Sequence, residues 1–239
     1  MAKATILMYH NIAKPPRGVK LRSLYVTPDM FRFQMWYLKK AGYQVVSLDE
    51  IADFTQHSPT VSESEKRVAL TFDDGFADFY HNAFPILKEY GYPATVYLVS
   101  DRIGSINTWD AQELNTEKPL MNWKMINELI QNGIAFGSHT RTHPFLTELS
   151  FSQAVEEIAG SKAALENQLG YPVNHFCYPS GNYNDNIVES VKNAGYKTAT
   201  VTAQGYIHPG DDPFTLKRLF IKYRTYPPQF LYKLHSQYS

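Results

Sequence analysis

Apolar residues in this 239-residue chain fall into short runs and helical stripes that alternate along nearly its whole length. Residues 4–9 (ATILMY) form a continuous apolar run, the pattern of a buried strand. Thr27-Pro28 reads as an N-cap with a first-turn proline; Phe31, Met35 and Leu38 then recur at helical spacing, and Gly42 ends the helix. Further strands are predicted at 43–48, 68–72, 94–99, 134–137, 175–178, 197–201 and 216–221, with helices at 85–90, 123–132 and 185–194 between them. Ser150 and Gln153 form a capping-box pattern. Val155, Ile158, Lys162, Leu165 and Leu169 then line a helix closed by Gly170 and Pro172. The stretches 55–67 and 101–122 read as irregular surface segments, and neither marks a domain boundary.

Strands alternating with helices predict a mostly parallel sheet wrapped by helices. The number of units suits an α/β fold built as a single deformed (β/α) barrel of about seven strands, with residues 1–239 as one domain. Composition narrows the function. Twenty-three basic and 23 acidic residues give a net charge of zero, which lacks the footprint of a nucleic-acid binder. An apolar fraction of 44% excludes a disordered chain. The single cysteine, Cys177, excludes an internal disulfide framework. No glycine-rich phosphate loop follows any predicted strand. No window approaches the ~18 apolar residues of a membrane span. The apolar run at 6–9 is too short for a signal peptide, so the chain reads as cytoplasmic, or as exported if a leader has been removed.

Side chains that follow the strands of such a barrel gather at one mouth. The first strand delivers His10, the 68–72 run delivers Asp73-Asp74-Gly75, and the 134–137 strand delivers His139 with His143 four residues on. Spacing of i and i+4 would put two imidazoles on one face of a helical turn, within reach of one ion. Asp73 or Asp74 could complete a two-histidine, one-carboxylate site with open positions for water and substrate. Alone, the histidine pair could merely solvate a loop, and Asp-Asp-Gly could be a turn. Their joint placement at strand ends favours chemistry. Adjacent carboxylates repel unless a cation is near, and side chains pointing apart can divide the work, one binding metal and the other acting as general base.

Thr71-Phe72-Asp73-Asp74-Gly75, with Ser138-His139-Thr140 and His143 downstream, resembles the polysaccharide deacetylase family (carbohydrate esterase family 4, NodB homology). The segments 83–88 (AFPILK), 93–97 (PATVY) and 133–140 (GIAFGSHT) fit as well, and the likeness runs from about residue 4 to 222. It implies a metal-dependent hydrolase that removes N-acetyl groups from an N-acetylglucosamine-type glycan. Asp73 would be the base. Asp74, His139 and His143 would hold a divalent ion, zinc by the donor set, with Co2+, Ni2+ or Mn2+ as the other ions considered. A backbone N–H near Tyr178 and Pro179 would assist the metal at the oxyanion.

Two departures stand out. Cys177 occupies the place where the family's third motif carries an arginine that bonds the base, a variant similar to the poly-N-acetylglucosamine deacetylase branch. Arg218, on the last predicted strand, is assigned to replace it. The family's Leu-x-His motif, which supplies the general acid, normally lies near the C-terminus. Here Leu234-His235 lies in a polar tail expected to fray, whereas His10 closes an apolar strand, as in a permuted branch; His10 is assigned as the acid. Trp109 and Trp123 are placed at the rim and Trp36 in the core. His57, His81, His175 and His208 receive no chemical role. Two alternatives accompany this reading: a hydrolase of the same fold acting on a small non-glycan amide, formyl group or cyclic imide, and a non-catalytic glycan-binding module.

Overall fold

The computed structural model describes residues 2–56, 65–109 and 117–236. Its frame is a parallel sheet in the order β10 (Leu219–Phe220), β1 (Ala4–Tyr9), β5 (Lys66–Phe72), β6 (Thr95–Leu98), β7 (Ala135–Ser138), β8 (His175–Cys177) and β9 (Thr198–Thr200). The far edge of β5 is shared: β4 (Tyr43–Val46) pairs with its first half and β6 with its last two residues. Leu216 bridges in parallel to Thr200, and three residues later Leu219 pairs with Leu7. One short segment therefore joins both edges of the curled sheet, which forms the deformed (β/α) barrel that the alternation predicts.

Strand alternation separates two apolar layers. Leu7, Tyr9, Leu70, Phe72, Val96, Leu98 and Phe176 face the helices in the larger cluster. Ile6, Ala69, Tyr97 and Cys177 face inward in a smaller one. The inner cluster also contains Leu48, Ile51 and Phe54, from a helix (Leu48–Gln56). At its start Asp49 faces His175 at 3.6 Å and Lys197 at 3.8 Å, residues at or just before the starts of β8 and β9. The helix thus lies across the N-terminal mouth of the barrel and leaves the C-terminal mouth for the site.

Several expectations are corrected. The strand predicted to run to Leu48 stops at Val46, and the helix over the barrel floor takes the following residues. The predicted loop at 55–67 is largely outside the described residues, as is His57. The C-terminal tail is a helix, Pro227–His235, with Phe230 and Leu234 buried in the main core, where a helix of this length gains its stability from packing. Trp36 is 45% exposed, on the outer face of its helix (Pro28–Lys40), where it packs beside Phe33. A two-residue pair, β2 (Asn11–Ile12) with β3 (Tyr25–Val26), was not foreseen.

Candidate active site

The inward-facing alternation on β5 continues from Ala69 through Thr71 to Asp73, so Asp73 closes the barrel interior at its C-terminal end. A regular strand would turn the next side chain toward the helices. Instead Asp74 adopts left-handed backbone (φ 74°), Gly75 follows at φ 73°, and both carboxylates open on one cavity of about 310 Å3, rather than pointing apart. Gly75 is required there: a Cβ would lie 2.9 Å from Leu98 Cδ2. Asp74 is not alone. Thr140, His143 and Ser180 also have positive φ, and these four non-glycine residues surround or support the same cavity. Such strain persists where the surrounding structure over-determines it, and it concentrates at functional sites.

His139 follows β7, and its Nε2 lies 3.4 Å from Asp74 Oδ1; His143 Nε2 lies 3.5 Å from the same oxygen. No helical turn brings the two imidazoles together, contrary to the spacing argument. An irregular loop does, bent by left-handed Thr140 and His143, with ring centroids 4.8 Å apart. Two donors held about 2.0–2.1 Å from one ion at the tetrahedral angle lie about 3.3–3.4 Å apart. The observed separations therefore fit a shared divalent ion. His139 Nδ1 donates to the Cys177 carbonyl at 2.7 Å, which turns Nε2 toward Asp74. Burial pushes its pKa down, but Cys177, Asp74 and Asp73 outweigh burial and hold the group well above its ordinary value, so an ion that binds at Nε2 displaces a proton. Burial, reinforced by neighbouring His139, pushes the His143 pKa down to about 4, so its imidazole is neutral at pH 7, the form that binds metal.

Asp73 is gripped from the opposite side. Arg218 Nη1 donates to its Oδ1 at 2.6 Å and Nη2 to its Oδ2 at 2.8 Å. The guanidinium is fully buried and uses all five donors, the others going to Val201 O, Thr71 Oγ1 and Cys177 Sγ. Its contact with Cys177 Sγ, 3.2 Å, places the guanidinium against the residue that stands where an arginine was expected. Burial pushes the Asp73 carboxyl up, but the charge and hydrogen bonds of Arg218 outweigh it and hold the group well below the usual carboxylate range.

His10 reaches the cavity from the end of β1, with Nε2 3.8 Å from Asp73 Oδ2 and its ring against Phe220. His235 is remote. It bonds Tyr37 and packs beside Tyr43, the first residue of β4, at the far end of β5 from Asp73. The seven residues of β5 span about 20 Å between those ends. Trp109 lines the cavity and stacks on His143 at 4.6 Å, whereas Trp123 packs on the core beside its helix.

The expectation at Tyr178 and Pro179 is not met as written. The Tyr178 N–H donates to Thr200 O at 3.2 Å within the sheet, its hydroxyl donates to Phe214 O, and proline has no N–H. The residue of this segment that lines the cavity is Ser180. His81, His175 and His208 do not line it. Sequence reasoning missed Glu157, whose carboxylate accepts from the Arg141 and Thr142 N–H groups at 2.8 and 2.9 Å and from the Thr142 hydroxyl. It anchors the loop that carries both histidines. Nothing in the sequence sets Glu157 apart from Glu156 beside it; the structure shows a π-helical turn there (Glu156–Gly160), a deviation frequent at functional sites.

The polysaccharide deacetylase family profile matches residues 60–199, more than half of the chain. Bacillus subtilis YxkH, named as a polysaccharide deacetylase, is 31% identical over 218 residues, covering 91% of this chain and 71% of that protein. The poly-beta-1,6-N-acetyl-D-glucosamine N-deacetylase of Staphylococcus epidermidis is 28% identical over 237 residues, covering 91% of this chain and 78% of that one. Among solved structures, the Streptococcus pyogenes deacetylase PplD in complex with acetate superposes with a TM-score of 0.82 at 29% identity, covering 98% and 99% of the two chains. The chain belongs to the polysaccharide deacetylase family. It is accordingly a hydrolase of the carbohydrate deacetylase class, with a buried Asp-His-His group suited to a divalent metal.

Proposed function

We propose that this chain hydrolyses the N-acetyl groups of an N-acetylglucosamine glycan, with Asp74, His139 and His143 holding zinc. The observation that carries the reading is the pairing of two carboxylates with unlike partners. Asp74 faces two imidazole nitrogens, and Asp73, one residue away, is locked by Arg218. A divalent ion bound by that triad supplies a Lewis acid for the acetyl carbonyl and lowers the pKa of water. Nitrogen-rich ligation with one carboxylate favours zinc among the candidate ions.

Asp73 is the proposed base. Arg218 keeps it ionised at neutral pH; Oδ1 accepts from the guanidinium alone and retains a lone pair, whereas Oδ2 also accepts from the Cys177 thiol at 3.7 Å. The same contact makes it a weaker base, so its effect depends on position beside the metal triad. His10, beside Asp73 at the end of the neighbouring strand, is the proposed acid that protonates the departing amine, which is a poor leaving group without that proton. Arg218 is a positioning residue: it fixes the Asp73 rotamer and touches no substrate. The non-glycan amide and the non-catalytic module find no supporting feature in the site. The test is acetate release from N-acetylglucosamine oligomers by the metal-loaded protein, with and without chelator. Acetate that stops on chelation and returns with zinc supports the reading. Turnover of small amides with none of the oligomers overturns the substrate, and release indifferent to chelation overturns the metal.

A further inference from the structure

A second cavity, of about 610 Å3, is lined by Arg22, Ser23, Lys222, Tyr223, Arg224 and Tyr226. The same two chain segments line both cavities. Leu21 and Leu24 line the active-site cavity while Arg22 and Ser23, between them, line the second; Phe220 lines the first and Lys222, two residues on, the second. Three cations thus face one space, on segments that also line the active-site cavity.

Among the described residues their surroundings hold no anion to match. Between His10 and Asp29 the chain carries Lys14, Arg17, Lys20 and Arg22 and no carboxylate, and after Asp212 it carries none either. Among the described residues no carboxylate pairs with Arg22, Lys222 or Arg224, whereas Arg218 on the same segment is paired with Asp73. The helix that begins after Tyr226 has no side-chain cap and no acid in its first turn. Arg22 is held over the Tyr223 ring at 4.7 Å, which keeps its planar donor face beside Lys222 and Arg224. In a chain of zero net charge, this segregation leaves a local positive potential beside a sugar-binding cleft.

We propose that this cavity binds an anionic group, a carboxylate or phosphate, carried by a sugar next to the acetamido sugar being hydrolysed. Arginine matches either anion bidentately. The inference rests on the deacetylase reading and narrows its substrate to an acidic glycan.

The test compares N-acetylglucosamine pentamers that are neutral, oxidised to a carboxylate at one C6, or phosphorylated at one C6. Binding is measured by calorimetry and acetate release is measured separately. The wild type should bind an acidic pentamer at least about tenfold tighter than the neutral one at low salt, the effect of one charge-assisted contact, and lose the preference as salt rises. Whichever acidic pentamer binds better identifies the source of the anion. In Arg22→Gln/Arg224→Gln the ratio of acidic to neutral affinity should fall toward one; Arg22→Lys/Arg224→Lys should retain most of it. Equal wild-type affinity for neutral and acidic pentamers would overturn the inference and leave the deacetylase reading intact. Acidic preference in binding with no acetate from any pentamer would support the cavity's role and overturn the catalytic reading instead.

Discussion

Arg218 and Asp73 pair without exposure to solvent, with 0% and 3% of their side chains accessible, so the pair is not screened as a surface ion pair would be. Breaking it leaves a buried carboxylate uncompensated. Arg218→Met should therefore lower stability by about 3–5 kcal/mol. Adding Asp73→Asn should recover most of that loss, because an amide does not need the lost charge. Denaturant melts of the two variants check this, and equal stability of single and double variants would refute the coupling. The pH sign follows from the lowered Asp73 pKa. The pair's contribution is fully present above the unfolded carboxyl value, about 3.9, and fades as pH falls below it. Without the guanidinium that pKa rises, so the acidic limb of the pH–rate profile should move to higher pH in Arg218→Met. The neighbouring carboxylates should separate cleanly by substitution. Asp73→Asn should keep its capacity to bind a divalent metal and lose about 10²- to 10⁴-fold in turnover, the usual weight of a general base. Asp74→Ala should lose metal and turnover together. Metal content by mass spectrometry beside acetate release distinguishes them, and a metal-replete Asp74→Ala would remove Asp74 from the ligand set.

The C-terminal helix, Pro227–His235, is part of the core: Phe230 is fully buried and packs edge-on against Tyr37. Phe230→Ala should cost about 3–5 kcal/mol, read from a denaturant midpoint, while Tyr232→Ala at a 67%-exposed position should cost little. Equal effects would mean that the helix is loosely docked. The strands that carry the site were legible because each is a dense apolar run stopping at a polar residue, as at Phe72-Asp73 and Tyr9-His10. The floor helix was not legible, although Leu48, Ile51, Ala52 and Thr55 follow the i, i+3, i+4, i+7 pattern; the strand predicted before it runs to Leu48 and the irregular segment predicted after it begins at Thr55, which hides both ends. The last helix was hidden by a polar tail and two opening prolines. The β2–β3 pair is too short to carry any periodicity. The bend that joins His139 to His143 could not be read at all, because left-handed threonine and histidine are disfavoured locally and are imposed by partners such as Glu157 and Thr140 Oγ1.

At the scale of the molecule, the triad ties together two parts of the barrel that do not touch directly in the sheet. Asp74 follows β5 and both histidines follow β7, with β6 between them. The unfolded chain does not preassemble these donors, so an ion that binds them binds the folded state. Zinc at about a hundred times its dissociation constant should then add about 2.7 kcal/mol. For a chain of this length that corresponds to a rise of about 5–10 °C in Tm. Scanning calorimetry of chelated and zinc-reloaded protein should show that rise growing with zinc concentration. The shift should disappear in Asp74→Ala and persist in Asp73→Asn, whose side chain lies on the Arg218 side of the cavity. That contrast separates ion binding at the triad from nonspecific binding to surface histidines, which either variant would retain. A rise of equal size in Asp74→Ala would place the ion elsewhere and would detach the barrel's stability from its site.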